Sequence, residues 1–340
     1  PLNGSGMECV TRILERIGVT NVEVPAEQAQ PNGDFPTCNY PNPEVREALD
    51  LGLKLCDEVK PNLLLATDPD ADRMGTAIPH AGEYKLLSGN EMGVLIMDWL
   101  CQRKKAAGED IASKVAVSTI VSSSMPDALA RDWGFEMRRV LTGFKYIGDQ
   151  IDQLKDADEE DRYLMGFEES YGYLIGTHAR DKDAIVASLM AVEMSADYAE
   201  RGMDLYEAME ELYKKYGYYL NATVNASFPG AAGAEHMAQI MTGLQTNPPT
   251  QIAGYEVVGM TNYNEGAEMP RVSGLQKEAA QVLPAANVIE FRLEGDNKVI
   301  FRPSGTEPKV KAYLFAKGVT REDGEAILEK LAEASKAVLS

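Results

Sequence analysis

What most constrains this chain is an alternation. Segments with apolar residues at helical spacing take turns with short apolar runs. Cys9, Val10, Ile13, Leu14 and Ile17 recur at helical spacing, and Gly18 follows as a stop. Val22–Val24 reads as a short strand, and residues 31–43 form a loop rich in Pro, Asn and Gly. A second helix is expected from Pro43 and Glu44, carrying Val45, Leu49, Leu53 and Leu55. Leu63-Leu64-Leu65-Ala66 is a buried strand that runs straight into an acidic turn. The pattern repeats with helices at Gly93–Cys101, Met125–Trp133 and Asp183–Tyr198, strands at Val115–Val121, Glu136–Leu141 and Tyr163–Phe167, and a solvated acidic turn at Asp156–Asp161. Such alternation predicts α/β layers with a largely parallel sheet. Beyond Tyr216 the character changes. Strands at Tyr218–Ala226, Tyr255–Thr261, Val288–Leu293, Lys298–Arg302 and Lys309–Ala316, with helices at Ala234–Thr242 and Arg321–Val338, predict an antiparallel α+β region.

Charge narrows the partners. The 340 residues hold 33 Lys and Arg against 53 Asp and Glu, a net charge of −20. A surface this acidic repels phosphate backbones and anionic lipid, so neither nucleic acid nor membrane is an expected partner. No apolar run approaches the roughly 20 residues of a membrane span. Cys9, Cys38, Cys56 and Cys101 are far apart without a CxxC spacing, which suits reduced thiols in a cytoplasmic setting. Pro1–Gly6 reads as a strand-to-helix turn already under way. The expectation is that a strand lies upstream and that the chain is part of a longer protein. The sequence leaves the oligomeric state open.

The sharpest motif is Thr67-Asp68-Pro69-Asp70-Ala71-Asp72-Arg73-Met74-Gly75. Three carboxylates at alternate positions, at the end of a buried strand, can converge on one hard cation, Mg²⁺ or Ca²⁺ rather than zinc. An EF-hand would need Gly and Glu where Arg73 and Pro79 stand. The bland alternative is an acidic turn capping a helix, but three unpaired carboxylates side by side repel one another without a cation. Arg73 adds a fork suited to a phosphoryl oxygen. The second motif is Arg302-Pro303-Ser304-Gly305-Thr306-Glu307-Pro308-Lys309. Guanidinium, hydroxyls and backbone N–H groups there can cradle a phosphate, and Lys298, Arg302, Lys309 and Lys311 form a basic patch. The alternative is an ordinary hairpin turn.

Gly166-Phe167-Glu168-Glu169-Ser170-Tyr171-Gly172 can present carboxylates and a hydroxyl to vicinal sugar hydroxyls, or can simply begin a helix. Thr142-Gly143-Phe144-Lys145 reads as a turn with a lysine. Gly176–Asp183 gathers His178, Arg180 and Lys182 before an apolar helix, where a salt-bridged cap is the bland alternative. His80 and His236 lack such context and read as structural.

In this order, a metal loop, a sugar-type loop and a phosphate loop resemble the α-D-phosphohexomutase family, the phosphoglucomutases and phosphomannomutases, over essentially the whole chain. Thr177–Asp183 looks most like the phosphoglucomutase branch. The resemblance implies an α/β fold class. Two related α/β layered domains, the first incomplete (1–86, metal loop; 87–214, sugar loop), would precede a smaller α+β TATA-binding-protein-like domain (215–340, phosphate loop). It implies Mg²⁺ on Asp68, Asp70 and Asp72. Arg73, His178 and Lys182 would be catalytic. Thr142, Gly143, Lys145, Glu168, Ser170, Arg180, Arg302, Ser304, Gly305 and Thr306 would bind a sugar phosphate.

The implied reaction moves a phosphoryl group between C1 and C6 of a hexose, most simply glucose, through a phosphoserine and a hexose 1,6-bisphosphate. The general base stays open among Lys145, His178, Arg180, Lys182 and a group of the family's first domain. The family's Thr-Ala-Ser-His-Asn-Pro type loop, which carries the phosphoserine, has no counterpart in these residues. Ser5 and Ser122–Ser124 lie in other contexts, so the chain is expected to be inactive by itself. Three rivals stand beside this reading: a phosphomannomutase or phosphopentomutase, a non-catalytic sugar-phosphate and Mg²⁺ binding module, and a Mg²⁺-dependent phosphatase using Asp68 as nucleophile.

Overall fold

The computed structural model describes residues 1–269, 271–272, 281–304 and 308–340. The chain divides into two compact units. The first comprises Pro1–Ser122 and Pro126–Glu211, and the second is built mainly from Leu212–Arg271 and the described residues after 280.

The first unit runs α1 (Gly6–Arg16), α2 (Asp50–Val59), β1 (Leu64–Thr67), β2 (Met74–His80), β3 (Glu83–Leu87), α3 (Gly89–Ala106), β4 (Val115–Thr119), α4 (Met125–Trp133), β5 (Glu136–Val140), α5 (Phe144–Asp156), β6 (Tyr163–Phe167), β7 (Tyr173–Leu174), α6 (Ala184–Glu200) and into α7 (Leu205–Tyr216). Its strands form two sheets, β1-β2-β3 and β5-β4-β6-β7. In the second sheet β4 lies parallel to both β5 and β6, as the alternation predicts, and only β7 runs against its neighbour.

The first sheet corrects the expectation of parallel strands, because β1, β2 and β3 are antiparallel throughout. The acidic turn folds the chain straight back into β2. Ala81 and Gly82, with φ of 51° and 86°, then make the tight turn into β3. Met74–His80, broken by Gly75 and Pro79, gave no strand signal in the sequence. Cys56 of α2 and Leu49 just before it are buried against Leu64, Ala66 and Ala77 of this sheet. The second helix also starts later than Pro43, with a 3₁₀ turn at Arg46–Leu49 before the α-helix begins.

Val22–Val24 is not a strand. This segment and β1 line the same apolar groove of about 720 Å³. Among the described residues β1 pairs with β2 alone, and Val22–Val24 forms no ladder with it across that groove.

α3 opens with a full capping box, Ser88 with Glu91, and is buried without a break from Met92 to Cys101. α5, absent from the sequence reading, seats Phe144, Ile147, Ile151 and Leu154 on Val115, Val117 and Val140 of the second sheet. At the start of α6 the Asp183 carboxylate accepts from the N–H groups of Ile185 and Val186.

The second unit holds β8 (Tyr218–Ser227), α8 (Gly230–Thr246), β9 (Gln251–Ile252), β10 (Tyr255–Asn262), β11 (Ala267–Met269), β12 (Gln281–Leu283), β13 (Ile289–Leu293), β14 (Asn297–Pro303), β15 (Lys309–Gly318) and α9 (Arg321–Val338). Six strands in the order β8-β15-β14-β13-β10-β9 are antiparallel throughout, as expected for this region. Met241 and Leu244 of α8 and Ile327 and Leu331 of α9 share one core with Phe291, Phe301 and Leu314 of the sheet. No helix among the described residues is long and apolar enough to cross a membrane. All four cysteines are free.

Candidate active site

The acidic turn is shaped by its own first carboxylate. Asp68 Oδ1 accepts from the N–H groups of Asp72 at 3.0 Å and Arg73 at 2.9 Å, with Ala71 at a left-handed φ of 58° closing the loop. The Pro1–Gly6 turn sits against it. Ser5 N–H donates to the Pro69 carbonyl at 2.8 Å, and a Cβ on Gly4 would stand 2.2 Å from Pro69 Cα, so only glycine fits there. The result is convergence, with one oxygen from each of Asp68, Asp70 and Asp72 lying within 4.8 Å of the others. Asp68 is buried and Asp70 exposed. Burial first, and then the neighbouring Asp72 and Asp70, push the Asp68 carboxyl up to about 7 despite the Arg73 N–H that favours its charge. Asp72 Oδ1 is buried without a hydrogen-bond partner. An all-oxygen donor set with an orphaned carboxylate oxygen fits a hard divalent cation.

Two cations flank the triad. Lys182 Nζ lies 2.9 Å from Asp72 Oδ2 and 3.0 Å from Asp181 Oδ1. Burial opposes its charge, but these two carboxylates outweigh burial and hold Lys182 above the usual lysine value. Arg73 Nη1 bonds Glu44 Oε1 at 2.9 Å, while its Nε faces Asp68 and Asp72 at 3.7 and 3.8 Å. Glu44 was missed in the sequence, and its only local signal is the Pro-Asn-Pro-Glu turn in which Asn42 caps the Glu44 N–H.

The sugar-type loop is joined to the metal loop by backbone. Met74 N–H donates to the Tyr171 carbonyl at 3.0 Å, and Arg73 bridges Gly172. Residues 166–172 connect β6 to β7 and do not begin a helix, so the alternative of an acidic helix start falls away. Glu168, only 5% exposed, accepts from Gly143 N–H at 2.8 Å. Its carboxyl is raised by burial, which outweighs the Gly143 N–H and the Lys182 and Arg73 charges. Gly143, at φ 122°, turns the chain into α5, and the preceding Thr142 Oγ1 is buried without a partner. A Cβ on Gly172 would lie 2.2 Å from Lys182 Cδ, so this glycine makes room for the lysine stem. Asp68–Arg73, Thr142–Gly143, Glu168–Gly172 and Lys182 therefore share one cluster within the first unit.

The other candidates are held differently. Arg180 is engaged by Asp152 at 2.6 Å, by Glu160 and by the Thr177 and Ala179 carbonyls. His178 is exposed and pairs with Asp183 at 2.8 Å. Lys145 is exposed over the Tyr146 ring. Arg302 and Ser304 lie in the second unit at the end of β14, where Arg302 reaches the Tyr313 hydroxyl at 3.4 Å and stands opposite Lys311. Gly305 and Thr306 lie outside the described residues. His80 packs on Tyr206 and pairs with Asp204, and His236 faces Phe228, which suits structural roles.

Residues 1–82 match the family model described as phosphoglucomutase/phosphomannomutase, alpha/beta/alpha domain II, and residues 88–216 match domain III of the same family. A phosphoglucomutase from Staphylococcus saprophyticus is 34% identical over 314 residues, 92% of this chain and 56% of the relative. A Haemophilus influenzae protein named "Probable phosphomannomutase" is 32% identical over 340 residues, 99% of this chain and 63% of the relative. A crystal structure of a phosphoglucomutase/phosphomannomutase family protein from Burkholderia thailandensis shares the fold with a TM-score of 0.61 at 14% identity, covering 99% of this chain and 59% of that one. The chain thus spans roughly three-fifths of the length of these relatives. Two domain models, the long matches and the convergent aspartates lead to one conclusion: the chain belongs to the α-D-phosphohexomutase family.

Proposed function

We propose that this chain supplies the metal, sugar and distal-phosphate recognition of a phosphohexomutase that interconverts hexose 1- and 6-phosphates, with glucose phosphate as the substrate. The observation that carries this reading is the Asp68, Asp70 and Asp72 cluster, with its orphaned Asp72 oxygen, set against Lys182 and the Glu168 loop. Those three aspartates would hold Mg²⁺, which when bound neutralises charge on a transferring phosphoryl group. The Aspergillus fumigatus N-acetylphosphoglucosamine mutase, whose fold is similar at a TM-score of 0.50 and 13% identity, was crystallised with GlcNAc-6P and magnesium.

The chain's own groups divide the work. Lys182, kept protonated by Asp72 and Asp181, supplies positive charge where phosphoryl oxygens would gather. Glu168, fixed by Gly143, and Ser170 accept from and donate to sugar hydroxyls. Arg302 and Ser304, with Gly305 and Thr306, grip the phosphate that is not reacting, so that remote binding energy positions the sugar. In the transfer a sugar hydroxyl oxygen would bond to phosphorus as the P–O bond of a phosphoserine outside these residues breaks, and the hydroxyl proton would pass by way of a base to the released serine oxygen. No Thr-Ala-Ser-His-Asn-Pro string occurs in the 340 residues, so the chain by itself binds sugar phosphate without turnover. The functional divisions follow the same logic: metal loop in 1–86, sugar loop in 87–214, phosphate loop in 215–340.

Calorimetry with glucose 1-phosphate and mannose 1-phosphate, each with Mg²⁺, tests this reading. Saturable binding with glucose 1-phosphate preferred is expected, along with no formation of glucose 6-phosphate. Failure to bind any hexose phosphate would overturn it.

A further inference from the structure

The sugar loop carries two adjacent glutamates, and only Glu168 is aimed at the site. Glu169 turns back to the end of β4. Its Oε2 lies 3.2 Å from Thr119 Oγ1 and 3.2 Å from Ser122 Oγ, and those two hydroxyls lie 2.9 Å from each other. The Glu169 N–H also donates to Ser122 Oγ at 3.2 Å. The protons can be counted. Three oxygen–oxygen contacts close a ring, but two hydroxyls supply only two hydrogens. An ionised Glu169 would leave one contact with lone pairs face to face. A proton on Glu169 Oε2 completes the ring, each oxygen donating once, with Ser122 accepting the backbone N–H as well.

We propose that Glu169 is a positioning residue which, as a neutral carboxylic acid, clips the sugar loop to β4 and so sets the place of Glu168 and Ser170. This rests on the mutase reading for its link to sugar, and on geometry alone for the clip. The loop is tightly held at that point, since a Cβ on Gly89 at the start of α3 would meet the Glu169 carbonyl at 2.3 Å. β4 and the turn after it present hydroxyls to Glu169, and the charged group that faces it is Glu168 on its own loop. Burial, with Glu168 adding to it, outweighs the Glu169 N–H and the Ser122 and Thr119 hydroxyls, which favour the charged form, and pushes the Glu169 carboxyl up to about 7.

The test uses the full chain and two independent readouts. Carbon-detected NMR follows the Glu169 side-chain carboxyl with pH, assigned by its loss in Glu169→Gln. Hexose-phosphate affinity is measured for wild type, Glu169→Gln and Glu169→Ala. A carboxyl midpoint near neutrality is expected. Glu169→Gln, whose amide both donates and accepts, should keep affinity within about twofold, while Glu169→Ala weakens it about tenfold or more in a chain that stays folded. A midpoint in the ordinary carboxylate range would overturn the neutral clip whether or not sugar phosphate binds. Equal affinity in wild type and Glu169→Ala would overturn the positioning role. Absence of binding in wild type would instead overturn the mutase reading, leaving the carboxyl midpoint to decide the clip.

Discussion

The metal loop after β1 and the sugar loop after β6 are built alike and finished differently. Each leaves the end of a buried strand, carries carboxylates in its first residues and turns through a residue at positive φ, Ala71 in one and Tyr171 in the other. In the sugar loop the protein itself satisfies the acids: Gly143 N–H serves Glu168, and Thr119 and Ser122 serve Glu169. In the metal loop it does so only in part. Asp68 has two backbone donors and Asp72 has Lys182, but Asp72 Oδ1 has no hydrogen-bond partner and Asp70 faces solvent. On the proposed reading, carboxylates finished by protein donors are left to recognise sugar, as Glu168, or to hold the loop, as Glu169. Those left short of donors call for a cation.

The comparison can be broken at several points. Replacing Asp68 should have the largest effect, because it holds the loop and is a proposed ligand of the ion. Asp68→Ala is expected to reduce Mg²⁺ affinity by at least the ~100-fold seen when ligand support is lost. It should also lower stability by about 1–3 kcal/mol, since two backbone donors lose their acceptor. Parallel calorimetry and thermal melts would check both, and unchanged stability would show that Asp68 does not hold the loop.

Next in size, Mg²⁺ should protect the chain. At about 100 times its dissociation constant the expected stabilisation is about 2.7 kcal/mol, visible as a raised melting temperature. A melt unmoved by Mg²⁺ would mean that the carboxylates need no cation.

The sugar loop should respond in the opposite manner. Glu168→Gln keeps an oxygen for Gly143 N–H and removes a buried charge, so stability should hold or rise while hexose-phosphate affinity falls about tenfold. Because burial raises the Glu168 carboxyl, wild-type stability from this group declines as pH climbs out of the usual carboxylate range, and the glutamine variant should lose that slope. A variant that melts lower would put Glu168 on the same footing as Asp68.

The smallest effect is steric. In Gly172→Ala the new methyl falls on the Lys182 stem rather than on backbone, so the lysine moves and the fold stays. Hexose-phosphate affinity should drop only a few-fold, and stability should fall by about 1 kcal/mol as the lysine stem gives way.

How much of this was legible beforehand depends on range. Strands such as β4 and β6 and the last helix α9 show themselves through local periodicity, and the three aspartates through local spacing. The pairing of Asp72 with Lys182, and of Arg73 with Glu44, joins distant segments and leaves no periodic trace. Glu169 looked equivalent to Glu168 because neighbouring residues on a loop have no fixed faces until the loop is folded. Val22–Val24 has strand composition, but a strand exists only once its backbone is paired, and across the groove it shares with β1 the two do not pair. Conversely β2, with Gly75 and Pro79, has poor composition and forms because β1 and β3 hold it on both edges.

The most direct measurement is calorimetric titration of Mg²⁺ into the 340-residue chain and into its Asp70→Asn variant. Asp70 is exposed, so this change leaves the fold alone. One saturable site in the wild type, weakened about 100-fold in the variant, is the expected result. Equal binding in both, or none in the wild type, would contradict the assignment of these aspartates to a metal.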